Sequence, residues 1–457
     1  MDDERPIENG QKPKSIKKVA IIGMMIAFLG GSIPIAFILL NNPFGDHLGG
    51  IYDEVEIDAY IPNTVDHGKI YTINNHVVMD LNGTYEEMGY AHGLLAGRWI
   101  KYSMEYMFQT VVGSDMETYN QVKEDIETEG IVALNSTYHL EEMEAIHQAC
   151  IDSEYDMYVE SIDRDWDLYD LLVLNGLQDL NQDFDPSGYF CSGLGVWGTD
   201  SLDGEPMIGR NLDFPIDPAG YVTQLQILAL YRGNESNNEV LTVMQPGVIC
   251  VETGFNNNSV WISTDNSNGI KNSDSESPIT PMGIAMRNFL EQEDGINVRQ
   301  DSLSFFSSAN PYQSFLFLIG SNETTEDPIF VLEGNYQQVV NRTGTYEGTN
   351  YIFLTNHQRL LKDPISCGRY SRYEENFENY TSKGDTKVSF EEAKDIIRDG
   401  AGGTTIHTMM FLPETLEFSV GYARLINVED QIRWNEDNFV NAPKDNMLNV
   451  LMQYNSL

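Results

Sequence analysis

Residues 189–214 read YFCSGLGVWGTDSLDGEPMIGRNLDF, and across them the chain changes from helical to strand periodicity. Upstream, apolar residues fall at helical spacing through most of residues 115–182, most clearly in EEMEAIHQACIDSEYDMYVESI. Asp183 to Gly188 is a turn-rich loop. CSGLGVWGTD and EPMIGRNLDF then read as two strands joined through Ser201, Leu202, Asp203 and Gly204, a hairpin signal. Cys191, one of four cysteines, opens the first strand. A cysteine there is either a small buried apolar residue or a nucleophile, and the surrounding sequence has to decide.

Working outward, VVMDLNGT at Val77 to Thr84 reads as a strand ending in a turn. The following YEEMGYAHGLLAGRWIKYSMEYMF has helical spacing, with Glu86 and Glu87 in its first turn, where negative charge suits the helix dipole. Downstream, QLQILALYR, EVLTVMQPGVI, SVWISTD, PIFVLEG and NYIFLTN read as strands, and HTMMFLPETLEFSVGYAR as a closing hairpin. Helices are expected at about 281–294, 310–320 and 389–399. Helices first, then antiparallel strands with helices between them, indicate a layered α+β fold.

The 457 residues include 70 Asp and Glu against 27 Lys and Arg, a formal net charge of −43. Nucleic acid is therefore not an expected partner, because phosphate binding needs basic stripes. The acid reads as a solvated, self-repelling surface of the kind tuned to high salt. With 41% hydrophobic residues the chain can bury a core and is not disordered.

Residues 19–40, VAIIGMMIAFLGGSIPIAFILL, form an uncharged run long enough to cross the hydrocarbon layer as a helix. Lys12, Lys14, Lys17 and Lys18 precede it. The positive-inside rule then makes residues 1–18 a cytoplasmic tail, 19–40 a transmembrane signal anchor and everything beyond extracellular. A cleaved signal peptide is the competing reading, but the run exceeds a usual signal core and no A-x-A-like site follows it. Residues 41–76 read as a juxtamembrane linker. Seven N-x-S/T sequons, at Asn82, Asn135, Asn234, Asn257, Asn322, Asn341 and Asn379, agree with an outside location.

A thiol nucleophile needs a base, a cation favouring thiolate, and donors for the oxyanion it creates. None of the eight histidines lies near Cys191 in sequence, which leaves a papain-like Cys-His pair open only through long-range contacts. A cysteine that opens a strand after a loop offers another route. Cutting the Phe190–Cys191 bond would create an α-amine whose pKa of about 7.7–8 suits proton transfer near neutral pH.

A strand-opening Cys, a hairpin and GRNLDF resemble the cysteine branch of the N-terminal nucleophile (Ntn) hydrolases. That branch holds the penicillin acyltransferase family, the choloylglycine hydrolases, and the acid ceramidase and N-acylethanolamine amidase group. GTYEEMGYAHG at Gly83 to Gly93 resembles the penicillin acyltransferase family first. The resemblance spans roughly residues 77–427 and implies a four-layer αββα sandwich, with a helical part over 77–190 and a catalytic part over 191–457. It implies that Cys191 is both autocleavage and catalytic nucleophile, that Arg210 holds the thiolate and substrate polar groups, and that Asp213 orients the new amine. GFNNNSVWISTDN is similar to the segment ending in an oxyanion-hole Asn, here Asn266, and FLTNH to one supplying a second, Asn356. Ser371-Arg372-Tyr373 resembles a late motif whose Arg faces the site; Arg369 is its rival. The chain departs from the pattern at Ser259, where these families usually have Gly, and at Ser192, where Thr is commoner.

The resemblance implies hydrolysis or transfer of the acyl group of a linear, non-peptide amide, with no cofactor. The partners expected are a small-molecule amide or acyl donor, the membrane through the N-terminal helix, and the two cut chains for each other. A lipid amidase of ceramidase or N-acylethanolamine type is the alternative substrate reading, and a non-catalytic surface binding protein with the same fold is the alternative class. His92 reads as structural. Cys150, Cys250 and Cys367 read as core thiols, since no C-x-x-C or H-x-x-x-H spacing exists.

Overall fold

Strand Ser192–Val196 pairs antiparallel with Met207–Asp213, as the hairpin signal predicts. Tyr351–Thr355 adds on one side, and Thr405–Leu412, Glu417–Tyr422 and Asp445–Asn446 on the other, giving a sheet of six strands. A second sheet has ten strands, in sequence order from Asn63–Val65 to Gln338–Thr343. Its pairings are antiparallel except where His76–Gly83 meets Ile227–Gly233. The computed structural model describes residues 63–73, 76–113, 115–129, 137–184, 191–217, 220–267, 270, 272, 279–362, 367–382, 386–401, 404–426, 431–433 and 445–446.

The two sheets bury one face of each against the other. Leu228, Leu241, Phe255, Trp261 and Leu318 of the large sheet meet Ile208, Leu354, Met409, Phe411 and Phe418 of the small one. Phe255 stacks on Phe411 at 4.1 Å between centroids. Each such side chain contributes roughly 1.5–3 kcal/mol by leaving water. The Gly-x-Gly of the first hairpin strand belongs to this layer: a Cβ on Gly193 would lie 2.8 Å from Leu318 Cδ2, and one on Gly195 2.5 Å from Ile329 Cγ2. Those positions stay bare because the facing sheet already fills the space.

Alternation turns Leu194, Val196 and Met207 the other way, onto Tyr370, Tyr373, Phe377, Ile396 and Ile397 of helices Gly368–Thr381 and Phe390–Gly400. The outer face of the large sheet carries helices Tyr85–Tyr106, Met282–Gln292 and Val298–Ser308. The layers are therefore helix, sheet, sheet, helix, the αββα order expected.

Helix Tyr85–Tyr106 starts where the sequence places it, with Thr84 and Glu87 forming a capping box. Its GYAHG segment serves packing. A Cβ on Gly89 would sit 2.2 Å from the Glu142 carbonyl oxygen and one on Gly93 2.6 Å from that of Ile146, so helix Thr137–Asp152 lies directly on these glycines. His92 is buried and accepts from the Gly247 amide at 3.0 Å.

Two expectations are corrected, and a third is not reached. The helix expected at 310–320 is strand Phe315–Gly320, buried on both faces between Trp261–Asn266 and Ile329–Asn335; a short, continuous apolar run has no period to separate strand from helix. The nearby helix is Val298–Ser308, whose mixed VRQDSLSFFSS carries only a weak stripe. Residues Asn63–Val65 and Gly68–Ile73, expected within the linker, are strands of the large sheet, with Gly68 packed on Ala91 and Leu95. The apolar run 19–40 lies outside the described residues, among which no helix is long and apolar enough to cross a membrane.

Candidate active site

Cys191 lies at the mouth of the hairpin, 2% exposed. Arg210 Nη2 donates to its Sγ at 3.2 Å, because residues 193 and 210 are register partners and place the arginine one pleat away. The Asp213 amide also points at the sulfur. Arg210 is anchored across the inter-sheet layer: Nη1 donates to the Glu252 carbonyl at 2.9 Å and to Thr253 Oγ1, and Nη2 to the Thr264 carbonyl. Thr253 Oγ1 in turn bonds His407 Nε2 at 3.1 Å, while His407 Nδ1 meets Gln226 Oε1 at 3.0 Å. Gln226 Nε2 is used by the Val222 carbonyl, so Nδ1 carries the histidine proton and Nε2 accepts. Burial, followed by Arg210, pushes the His407 pKa far down; this ring supports Arg210 and is not a base for the thiol.

Asp213 is buried with its carboxylate held by the Thr405 hydroxyl and 3.7 Å from Arg369 Nη1. Arg369 Nη1 donates to the Cys191 carbonyl and Nη2 to Asn356 Oδ1 at 2.7 Å. Asn356 Nδ2 donates to the backbone carbonyl of Asn266 at 2.9 Å. One network thus joins Cys191, Arg210, Asp213, Asn266, Asn356 and Arg369.

Arg372 is the misplaced expectation. It is exposed on helix Gly368–Thr381, because Tyr370, Tyr373 and Phe377 form the buried stripe and turn it to solvent. Arg369, one turn before Tyr373, enters the site instead. Phe190 lies outside the described residues. Ser259 adopts φ 67°, in the left-handed region, which gives a physical reason for the usual glycine at that turn.

Sequence reasoning missed Asp265. It is buried, its Oδ1 is 3.7 Å from Arg210 Nε, and neither oxygen accepts a hydrogen bond among the described residues. The available signal was alternation, since Trp261 and Ser263 face the small sheet and Asp265 follows at the same parity. Two arginines and two aspartates therefore surround a thiol, and with both aspartates ionised their charges balance only while the thiol keeps its proton. Burial, partly offset by Arg210, pushes Cys191 up to about 12, with Asp265 and Asp213 adding to the rise. A cation appearing at the Cys191 nitrogen would restore the balance with the thiol ionised.

Cys150, Cys250 and Cys367 are free thiols. Among the described residues no group of three or more His, Cys, Asp and Glu side chains is placed to hold a metal ion.

No protein-family model and no curated protein matches the chain. Its structure is similar to that of a Caenorhabditis elegans N-acylethanolamine-hydrolyzing acid amidase (NAAA) ortholog, with 12% identity and TM-score 0.40 over 55% of this chain and 98% of that one. It is also similar to a variant of conjugated bile acid hydrolase from Clostridium perfringens, with 12% identity and TM-score 0.37 over 57% and 93%. A third similarity is to penicillin V acylase from Agrobacterium tumefaciens, with 12% identity and TM-score 0.36 over 52% and 84%.

Proposed function

We propose that this chain is a self-processing cysteine amidase of the Ntn type, made as a precursor and cut before Cys191. The observation that carries the reading is the set of partners at one strand-opening thiol: Arg210 on its sulfur, Arg369 on its carbonyl, and Asp213 contacting both sulfur and Arg369. A buried structural cysteine has no use for two arginines.

In this reading Cys191 Sγ attacks the Phe190 carbonyl and the acyl group moves from nitrogen to sulfur. Water then cleaves the thioester, leaving a Phe190 carboxylate and a free Cys191 α-amine beside Asp213. That amine takes the thiol proton and supplies the missing positive charge. The thiolate next attacks a linear amide, the amine leaves with a proton from the α-ammonium, and water or another nucleophile accepts the acyl group. Asn356, held by Arg369 and by the Asn266 carbonyl, is the proposed oxyanion donor, through the Nδ2 hydrogen not given to Asn266.

Mass spectrometry of the purified protein tests the reading. A new N-terminus at Cys191, absent from Cys191→Ala, is expected; an uncut wild-type chain that still hydrolyses amides sinks it. We further propose that residues 19–40 anchor the enzyme with its catalytic part outside the cell, on the apolar run and the lysines before it. The 1–190 piece should then resist extraction from membranes by alkaline carbonate, and its release would refute anchoring.

A further inference from the structure

Behind Arg210 lies a cavity of about 50 Å³ between the two sheets and helix Leu168–Phe184. One side is apolar, with Leu177, Leu212, Phe214 and Val243. The other is polar, with Glu252, Gln178, Gln245 and the bonded pair Gln226 and His407. It adjoins the catalytic network directly. The Glu252 carbonyl takes Arg210 Nη1, and Gln178 Nε2 donates to the hydroxyl of Thr264, whose carbonyl takes Arg210 Nη2.

The Glu252 carboxylate accepts no hydrogen bond among the described residues and has no ion-pair partner there. Gln178 is 8% exposed and its Oε1 is likewise unpartnered. Nearby but outside the lining, Asp179 is buried and accepts from the Met282 amide at 3.0 Å, with its pKa pushed up to about 7 by burial and, in smaller part, by Glu252. The nearest cation, Arg210, is already committed to two carbonyls, Thr253 and Cys191, and faces Asp265. Gln178 is buried and Glu252 partly so, and acceptors left without donors are costly to enclose. They are satisfied by a ligand that brings donors and positive charge.

We infer that this cavity is a specificity pocket for a small alkylammonium group of the substrate, with Glu252 as its counter-charge and Gln178 as a second acceptor. Its volume admits roughly three to five heavy atoms, judged against the space one water needs. An aminoethyl or aminopropyl end fits, its methylenes on Leu212 and Phe214. The inference rests on the amidase reading for its substrate and on the cavity alone for its binding.

The experiment compares anilides of 4-aminobutyric, 5-aminopentanoic and 6-aminohexanoic acids with those of the chain-matched fatty acids, each ending in methyl where the first ends in ammonium. An advantage of at least about tenfold in kcat/KM is expected for one ammonium member, the size a charge-assisted hydrogen bond gives. In Glu252→Gln the ratio should fall to about one, and in Glu252→Asp, which keeps the charge, part of it should survive. Equal rates for both series in the wild type, or an advantage that persists in Glu252→Gln, would overturn the inference. If no anilide is turned over, n-propylammonium and n-propanol are titrated calorimetrically into the Cys191→Ala chain. Binding of the ammonium alone, lost when Glu252→Gln is added, supports the pocket even where the amidase reading fails; absence of that binding overturns it.

Discussion

Two arginines are buried at comparable depth on opposite faces of the large sheet, and they use their charge differently. Arg287, on helix Met282–Gln292, is met by carboxylates in direct contact: Glu291 at 2.9 Å, Glu142 at 2.9 Å, and the Tyr231 ring 3.7 Å from its guanidinium carbon. It locks three elements together. Arg210 is bound mainly by neutral groups, two carbonyls and a hydroxyl, and its carboxylate Asp265 stands off at 3.7 Å. Its charge is positioned but not cancelled, and the group it touches is a thiol. A contacted counter-ion serves cohesion, whereas a withheld one leaves potential for chemistry.

The comparison breaks first at the thiol. Cys191→Ala should abolish cutting and lower amide hydrolysis on the order of 10⁴-fold or more, read by electrophoresis and initial rates; residual turnover near wild type would mean that Arg210 serves another group. Arg210→Lys keeps the charge but cannot reach both carbonyls, Thr253 and the sulfur together, so the cutting rate should fall about 10²-fold while the urea midpoint moves little. Arg287→Met should do the reverse, costing about 3–5 kcal/mol in urea unfolding by leaving Glu142 and Glu291 unpaired, with the rate in the folded fraction largely kept. If both variants lose stability alike, the distinction between the two arginines fails.

A finer contrast lies on one helix. Arg369→Gln should slow cutting and turnover by about tenfold or more, through loss of the Cys191 carbonyl and Asn356 contacts, and Arg372→Gln should leave both near wild type. Equal losses would return Arg372 to the site. The smallest effect concerns Asp265, pushed up to about 7 by burial. Its folded pKa lies above its unfolded value of about 3.9, so the native state holds an extra proton between those limits. Stability should therefore fall as pH rises through about 4 to 7, from this residue together with Asp213, pushed up to about 6 by burial. Asp265→Asn should flatten that slope by about one proton; an unchanged slope would place the titration elsewhere.

The hairpin at Cys191 and a layered α+β fold were legible because both depend on local pattern, whereas the αββα order of the layers came from the family resemblance. Alternation, turn residues and first-turn acids are each read within a few positions. Strand Phe315–Gly320 was not legible because a run buried on both faces shows no period. Arg369 and Arg372 carry the same chemistry three residues apart, and only the docking of Tyr370, Tyr373 and Phe377 onto the small sheet turns one inward. Asp265 was hidden for a related reason, since its environment comes from Arg210, fifty-five positions away on the other sheet.

By itself the sequence determined that a cysteine opens a strand and that a second strand carrying an arginine and an aspartate returns beside it, because the hairpin pairs Ser192 with Asn211 and Gly193 with Arg210. The tertiary structure alone decided that burial pushes the thiol's pKa up beside Arg210, that Arg369 closes the network, and that a cavity with unpartnered acceptors lies behind Arg210. Those properties arise from burial and from the facing of two sheets, and burial sets the free energy of a charge through neighbours that lie far off along the chain.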